Sequence, residues 1–202
     1  MKVGDKVRLK HIPKDLRYDV KLGDIGMVSE TEHHGDYSIG VKWYNTEPAM
    51  SHKPDELEIV KVKIGLDIHG VIDHFPNFFS EMTEKLAYNA EIHIITGQEA
   101  EKVISKLEIF NITYHKLFSI VDYHREAKDT EMWQDSNKTW WMNEKEWLAS
   151  KGMYIAKEHI DIHFDDTLEY AQYIPPFCTF ILVPKYCYSF EIFARTLTPF
   201  LK

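Results

Sequence analysis

Cysteine is scarce in this chain: two in 202 residues, Cys178 and Cys187, and neither has a partner at the Cys-x-x-Cys spacing of a metal knuckle. That excludes a disulfide-stapled scaffold, and two reduced thiols fit a cytoplasmic protein. Positive charge is also short. The formal net charge is -8, which disfavours holding nucleic acid by bulk electrostatics, although a local basic groove would remain compatible with it. No apolar run is long enough to span a membrane, and the opening "MKVGDKVRLK" lacks the apolar stretch of a secretory signal. There is no internal repeat and no low-complexity segment. Gly-x-Gly-x-x-Gly, the Gly-x-x-x-x-Gly-Lys phosphate loop and Gly-x-Ser-x-Gly are all missing. Of the eleven histidines, His33 and His34 fall in an expected hairpin turn, and His93 and His163 alternate within strands as structural residues.

What remains is an ordinary globular composition, 44% hydrophobic and 28% charged, organised in two parts. Residues 1–60 read as short strands, 6–10, 24–30, 37–43 and 57–60, punctuated by Gly4, Gly23, Gly26, Gly35 and Pro54. Close spacing of short alternating strands predicts a small β-barrel, and the run resembles SH3-like barrels. Nine Lys/Arg against eleven Asp/Glu give this part no basic patch, so it reads as a packing module or a binding module.

From residue 61 strands alternate with helices. Strands are predicted at 62–68, 91–96, 115–121, 161–165 and 178–184. Helices are predicted at 75–89, 98–110 and 143–160, the last capped by Asn143, with a closing helix from 189. In the first helix Phe78, Met82 and Leu86 share a stripe. The alternation predicts an α/β domain over 61–202, a parallel sheet covered on both faces. In such sheets ligands bind beyond the carboxyl ends of the strands. Three strands there end in Asp67, Thr96 and the pair Asp165-Asp166. Adjacent carboxylates repel, and a divalent cation relieves the repulsion. The helix over 143–160 offers Lys145, Lys151 and Lys157. It runs against the strands, and six residues span roughly 9 Å at ~1.5 Å each, so Lys151 is the one at the right depth.

In chain order, "GLDIHGVID", "HIITGQE", Lys151 and "IDIHFDDT" resemble the four motifs of the haloacid dehalogenase (HAD) superfamily of phosphohydrolases, over residues 61 to about 190. The late acidic pair sets the chain apart from response-regulator receivers, whose acidic pair comes early. The resemblance implies a Rossmann-like fold and a Mg²⁺-dependent phosphatase. Asp67 would be the nucleophile forming an aspartyl-phosphate. Thr96 and the Gly97 N–H would hold phosphoryl oxygens, and Lys151 would neutralise phosphate charge and orient Asp67. Asp67, Asp165, Asp166 and the backbone carbonyl of His69 would hold Mg²⁺, with Asp166 acting directly, through water, or by holding Lys151.

His69 departs from the pattern: the family's phosphatases place an aspartic acid/base two residues after the nucleophile. Imidazole can do that work near neutral pH. Retained phosphatase activity, phosphotransfer to another acceptor, and an inactive adaptor with phosphate affinity all stay open. Asp73 reads as a helix-start residue that could also serve as the acid.

Only 28 residues separate Asp67 from Thr96, which leaves no room for a large cap there. A modest lid is expected from residues 126–147, which carry Trp133, Trp140, Trp141 and Trp147; Trp140 and Trp141 are the candidate stacking residues for substrate, and the N-terminal barrel could cover the site. The short-capped layout resembles nucleotidase-type members and implies a nucleotide, another phosphorylated small molecule or a nucleic-acid end as partner, with no membrane.

Overall fold

The computed structural model describes residues 1–11, 20–31, 39–43 and 49–183. The chain divides into two compact units, Met1–Val62 and Lys63–Lys202. The first is an antiparallel five-stranded sheet: β1 (Lys6–Leu9), β2 (Ile25–Glu30), β3 (Ile39–Trp43), β4 (Met50–His52) and β5 (Leu57–Ile59), in the order β4-β3-β2-β1-β5. Val7 and Leu9 point inward and Arg8 outward, the period-two pattern of a half-buried strand. They meet Val28, Val41, Trp43 and Leu57 in one apolar core. Gly26 is where β3 comes close: a Cβ there would lie 2.6 Å from Val41 Cγ1.

The sequence reading lacks β4, three residues being too short to show alternation. A buried polar chain fixes it instead. Trp43 Nε1–H donates to His52 Nε2 at 3.2 Å, so the other nitrogen, Nδ1, carries the proton toward Glu56 Oε2 at 3.3 Å. The expected His33-His34 turn and the closing helix lie outside the described residues.

The second unit carries β6 (Val62–Leu66), α1 (Pro76–Leu86), β7 (Ala90–Thr96), α2 (Ala100–Ile109), β8 (Lys116–Ser119), α3 (Ile120–Ala127), β9 (Met132–Gln134), β10 (Trp140–Met142), α4 (Glu144–Glu158), β11 (Ile162–Asp165) and β12 (Thr179–Leu182). Five strands form a parallel sheet ordered β12-β11-β6-β7-β8, and β9 and β10 form a separate antiparallel hairpin. The unit is thus mixed α/β. From β6 the chain steps to β7 and β8 on one side, then returns to β11 and β12 on the other. The direction reverses between β6 and β11, which opens a crevice at their carboxyl ends.

Phe78 and Met82 of the α1 stripe are buried, with Leu86 at its margin, and Phe79 meets Phe164 edge-on at 5.7 Å. Leu66, Ile94 and Ile95 are fully buried. Truncating any of them to Ala would cost about 2–5 kcal/mol.

Two local results differ from the sequence expectation. The strand expected over 115–121 stops at Ser119, because the Ser119 hydroxyl accepts the Asp122 N–H at 3.0 Å and starts α3. The expected lid segment is in part this helix and in part the β9–β10 hairpin. Asn143 caps α4 as its sequence suggests, Oδ1 accepting from Lys145 N at 3.0 Å and Glu146 N at 3.4 Å.

Candidate active site

Asp67 follows β6 in an extended conformation, its N–H donating to Phe164 O at 3.0 Å, so β11 sets its position directly. The loop then turns at Gly70, where φ is +77°. Glycine is needed here twice over. A side chain would be strained at that angle, and its Cβ would lie 2.0 Å from Asp166 Oδ2. Asp73 ties the loop down: one oxygen accepts the Gly70 N–H at 2.7 Å and the other accepts from Lys106 Nζ at 2.9 Å. Asp73 is therefore a loop anchor, its carboxyl held below the usual range by these partners in spite of partial burial.

Lys151 sits midway along α4 and is 2% exposed. Its ammonium donates to Asp165 Oδ2 at 2.7 Å and lies 3.2 Å from Asp67 Oδ1 and 4.3 Å from the centre of the Tyr170 ring. Asp165 also accepts from His163 Nε2 at 3.1 Å and, through Oδ1, from Thr167 N at 3.0 Å. Of the acidic pair, then, Asp165 holds the lysine, and Asp166 borders the open space.

The charges do not balance locally. Burial disfavours the Asp165 anion, but Lys151 and His163 outweigh it and keep that carboxyl below its usual range. Burial also opposes the Lys151 charge, and its two carboxylate neighbours reverse this, so the ammonium holds its proton tightly. The deficit falls on Asp67. Burial, reinforced by the Asp165 charge, overcomes Lys151 and pushes its carboxyl up to about 7. His69 is half-buried; burial first and then Lys106 lower its pKa, against Asp73, so the imidazole is neutral at neutral pH.

A cavity of about 370 Å³ opens over these groups, bordered by Asp67, His69, Gly97, Lys151 and Asp166 on its floor. Its walls include Gln98, Thr139, Trp140, Trp141, Trp147 and Tyr170. Trp147 donates from Nε1 to Tyr170 Oη at 2.9 Å and lies on Gly97, where a Cβ would sit 2.7 Å from Trp147 Cζ2. Trp141 donates from Nε1 to Asp135 Oδ2 at 3.0 Å. Trp140 carries the Arg125 guanidinium 5.0 Å from its ring centre, and Trp133 is not among the lining residues. Thr96 is fully buried; its Oγ1 accepts the Gln98 N–H at 3.2 Å and shapes the turn that presents Gly97 and Gln98.

The fold thus brings Asp67, Lys151, Asp165 and Asp166 together, with His69 and Gly97 at the same opening and Thr96 one step behind it. Carboxylate oxygens of Asp67, Asp165 and Asp166 lie within 4.8 Å of one another, close enough to share a cation. Sequence reasoning took His163 as structural and did not single out Gln98 or Tyr170. A signal for His163 existed: two residues before Asp165 on one strand, it must point to the same face. Tyr170 lies in a short helical turn after β11, and nothing in its spacing marks it.

Comparisons with protein-family models, with curated proteins and with solved structures find no match to this chain.

Proposed function

We propose that the chain is a HAD-type phosphomonoester hydrolase working through an aspartyl-phosphate on Asp67, with an SH3-like barrel as its N-terminal unit. The observation that carries this reading is the Lys151 ammonium held between Asp67 at 3.2 Å and Asp165 at 2.7 Å, with Asp166 beside them at the carboxyl edge of the sheet.

The donor set suits a hard divalent cation: carboxylate oxygens in excess of positive charge, one of them pushed up to about 7 by that excess. Asp67, Asp165, Asp166 and the His69 carbonyl would hold Mg²⁺, which would supply charge neutralisation for the phosphoryl oxygens.

Around it the chain's own groups have distinct tasks. Lys151 orients Asp67 and offers positive charge to the phosphate. Gly97 presents its backbone N–H to phosphoryl oxygens. His69, neutral at rest, takes up a proton from solvent and passes it to the leaving oxygen as one Asp67 oxygen attacks phosphorus and the bond to that oxygen breaks. Neutral His69 then takes a proton from the water that attacks the aspartyl-phosphate, freeing inorganic phosphate and restoring Asp67. A nucleotide, another phosphorylated small molecule or a nucleic-acid end fits a phosphate floor beneath aromatic walls.

The test is phosphate release from nucleoside monophosphates, phosphorylated oligonucleotides and an aryl phosphate, with and without Mg²⁺, for wild type, Asp67→Asn and His69→Asp. Mg²⁺-dependent release lost in Asp67→Asn supports the hydrolase. Release by His69→Asp alone would mean that His69 blocks turnover in an adaptor, and phosphoryl products on added alcohols would mean a phosphotransferase.

A further inference from the structure

We infer that the substrate is a single nucleoside monophosphate whose base packs against the Trp141–Trp147 pair, an assignment that rests on the hydrolase reading of the same site. The two indoles border the cavity but do not stack on each other: their centres are 6.4 Å apart and their planes are tilted by 33°. A ring sandwiched between two others needs about 7 Å, twice an ordinary carbon–carbon contact, so the gap is too narrow for a base to enter, and the base packs on the cavity side of the pair, where Trp141 is 45% exposed. Each indole is fixed by its own N–H, Trp147 on Tyr170 and Trp141 on Asp135. Asp135 is fixed in turn by the Asn137 and Thr139 N–H groups at 2.8 and 3.0 Å, so the wall stands preformed.

Trp147 also touches Gly97, which ties the aromatic pair to the phosphate floor. Gln98 and Thr139 line the same space and supply polar groups for a base edge or sugar hydroxyl. The size and charge of the cavity select among nucleotides. About 370 Å³ is at the small end of ligand pockets, which run from about 300 to 1,000 Å³. Lys102 and Lys151 are the lysines on its lining, which among the described residues holds no arginine, and the chain carries a net charge of -8. A nucleic-acid strand needs a track of cations along successive phosphates. One nucleotide needs a cation at one phosphate.

The experiment compares kcat/KM for 3′- and 5′-nucleoside monophosphates, ribose 5-phosphate and 5′-phosphorylated oligonucleotides. Wild type, Trp141→Ala, Trp141→Phe and Trp133→Ala are tested, with calorimetric binding of the same ligands to Asp67→Asn in Mg²⁺. Wild type should favour a nucleoside monophosphate over ribose 5-phosphate by about tenfold to a hundredfold. Trp141→Ala should collapse that ratio and Trp141→Phe should restore most of it. Trp133→Ala, which removes the cross-strand neighbour outside the cavity lining, should leave the ratio intact.

Equal turnover of ribose 5-phosphate and nucleotides would overturn the inference and leave the hydrolase standing. Preference for oligonucleotides would replace it with a nucleic-acid end. Absence of turnover with nucleotide-selective binding would sink the hydrolase and keep the base site; absence of both would sink the two together.

Discussion

The two ends of the parallel sheet each gather acidic groups, and they differ in how the charge is met. At the carboxyl end Asp67 and Asp165 share one buried ammonium, Lys151, with Asp166 close beside them. At the amino end Glu91, His93 and Glu158 are equally close together, but Lys116 reaches Glu158 at 2.8 Å and Glu91 at 3.2 Å, and Lys63 lies 3.8 and 4.0 Å from the same pair. His93 is satisfied by Glu91 and the Tyr154 hydroxyl. Two carboxylates meet two ammonium groups there, and although burial opposes the Glu91 anion, its lysine partners bring it below the usual range; the Lys116 bond does the same for Glu158. The balanced cluster locks strand starts to the end of α4. The unbalanced one leaves a carboxyl pushed up to about 7 beside a cavity. Proximity of ligand atoms alone does not separate these roles; the charge remainder does.

The contrast can be broken at several points. The largest expected effect is on turnover: Asp67→Asn should cut Mg²⁺-dependent phosphate release by about 10³-fold or more, as loss of a nucleophile does. Glu158→Gln, at the balanced end, should leave release unchanged in the same assay. Equal losses from both would erase the distinction.

Next is stability. Lys151→Met leaves the site's carboxylates without their buried cation and should cost about 3–5 kcal/mol in denaturant unfolding without metal. Lys116→Met removes a lysine that is 46% exposed, and solvent screening should hold its cost to about 1 kcal/mol or less.

A smaller effect is expected with pH. Folding raises the Asp67 pKa from its ordinary 3.8 to about 7, so over that window the folded chain binds this proton more tightly than the unfolded one. The contribution is present below the lower value and fades as pH rises through the upper one. In chelator, the Tm of wild type should therefore fall relative to that of Asp67→Asn as pH climbs between those values. Mg²⁺ should remove the difference by taking over as the counter-charge. A flat difference would mean that Asp67 does not carry the deficit.

Gly70→Ala should cost about 1–2 kcal/mol for a side chain at positive φ, between the two lysine variants, accompanied by weaker Mg²⁺ binding as Asp166 is displaced.

Much of the α/β unit was legible because its strands are short apolar runs and its longest helix, α4, carries its own cap in Asn143. Asp67 and Asp165 close their strands in sequence as in space, and helix rise alone placed Lys151 at the right depth. What escaped depends on contacts distant in sequence. Ser119 starts a helix inside what reads as a strand, because a single hydroxyl cap outweighs two β-branched residues, Ile120 and Val121. Met132–Gln134 and Trp140–Met142 are each three residues long, below the length at which alternation shows. The Trp147–Gly97 contact joins α4 to the loop after β7 across 50 residues, and the Glu91–Glu158 cluster spans more. Neither leaves a periodic trace.

The most direct test of the central claim is to quench wild-type protein in acid during turnover of its best phosphomonoester with Mg²⁺, and to map the mass of one phosphoryl group by peptide analysis. The account predicts the label on Asp67, absent without Mg²⁺ and absent in Asp67→Asn. Continued phosphate release by Asp67→Asn, with no label on Asp67 in wild type, would contradict it.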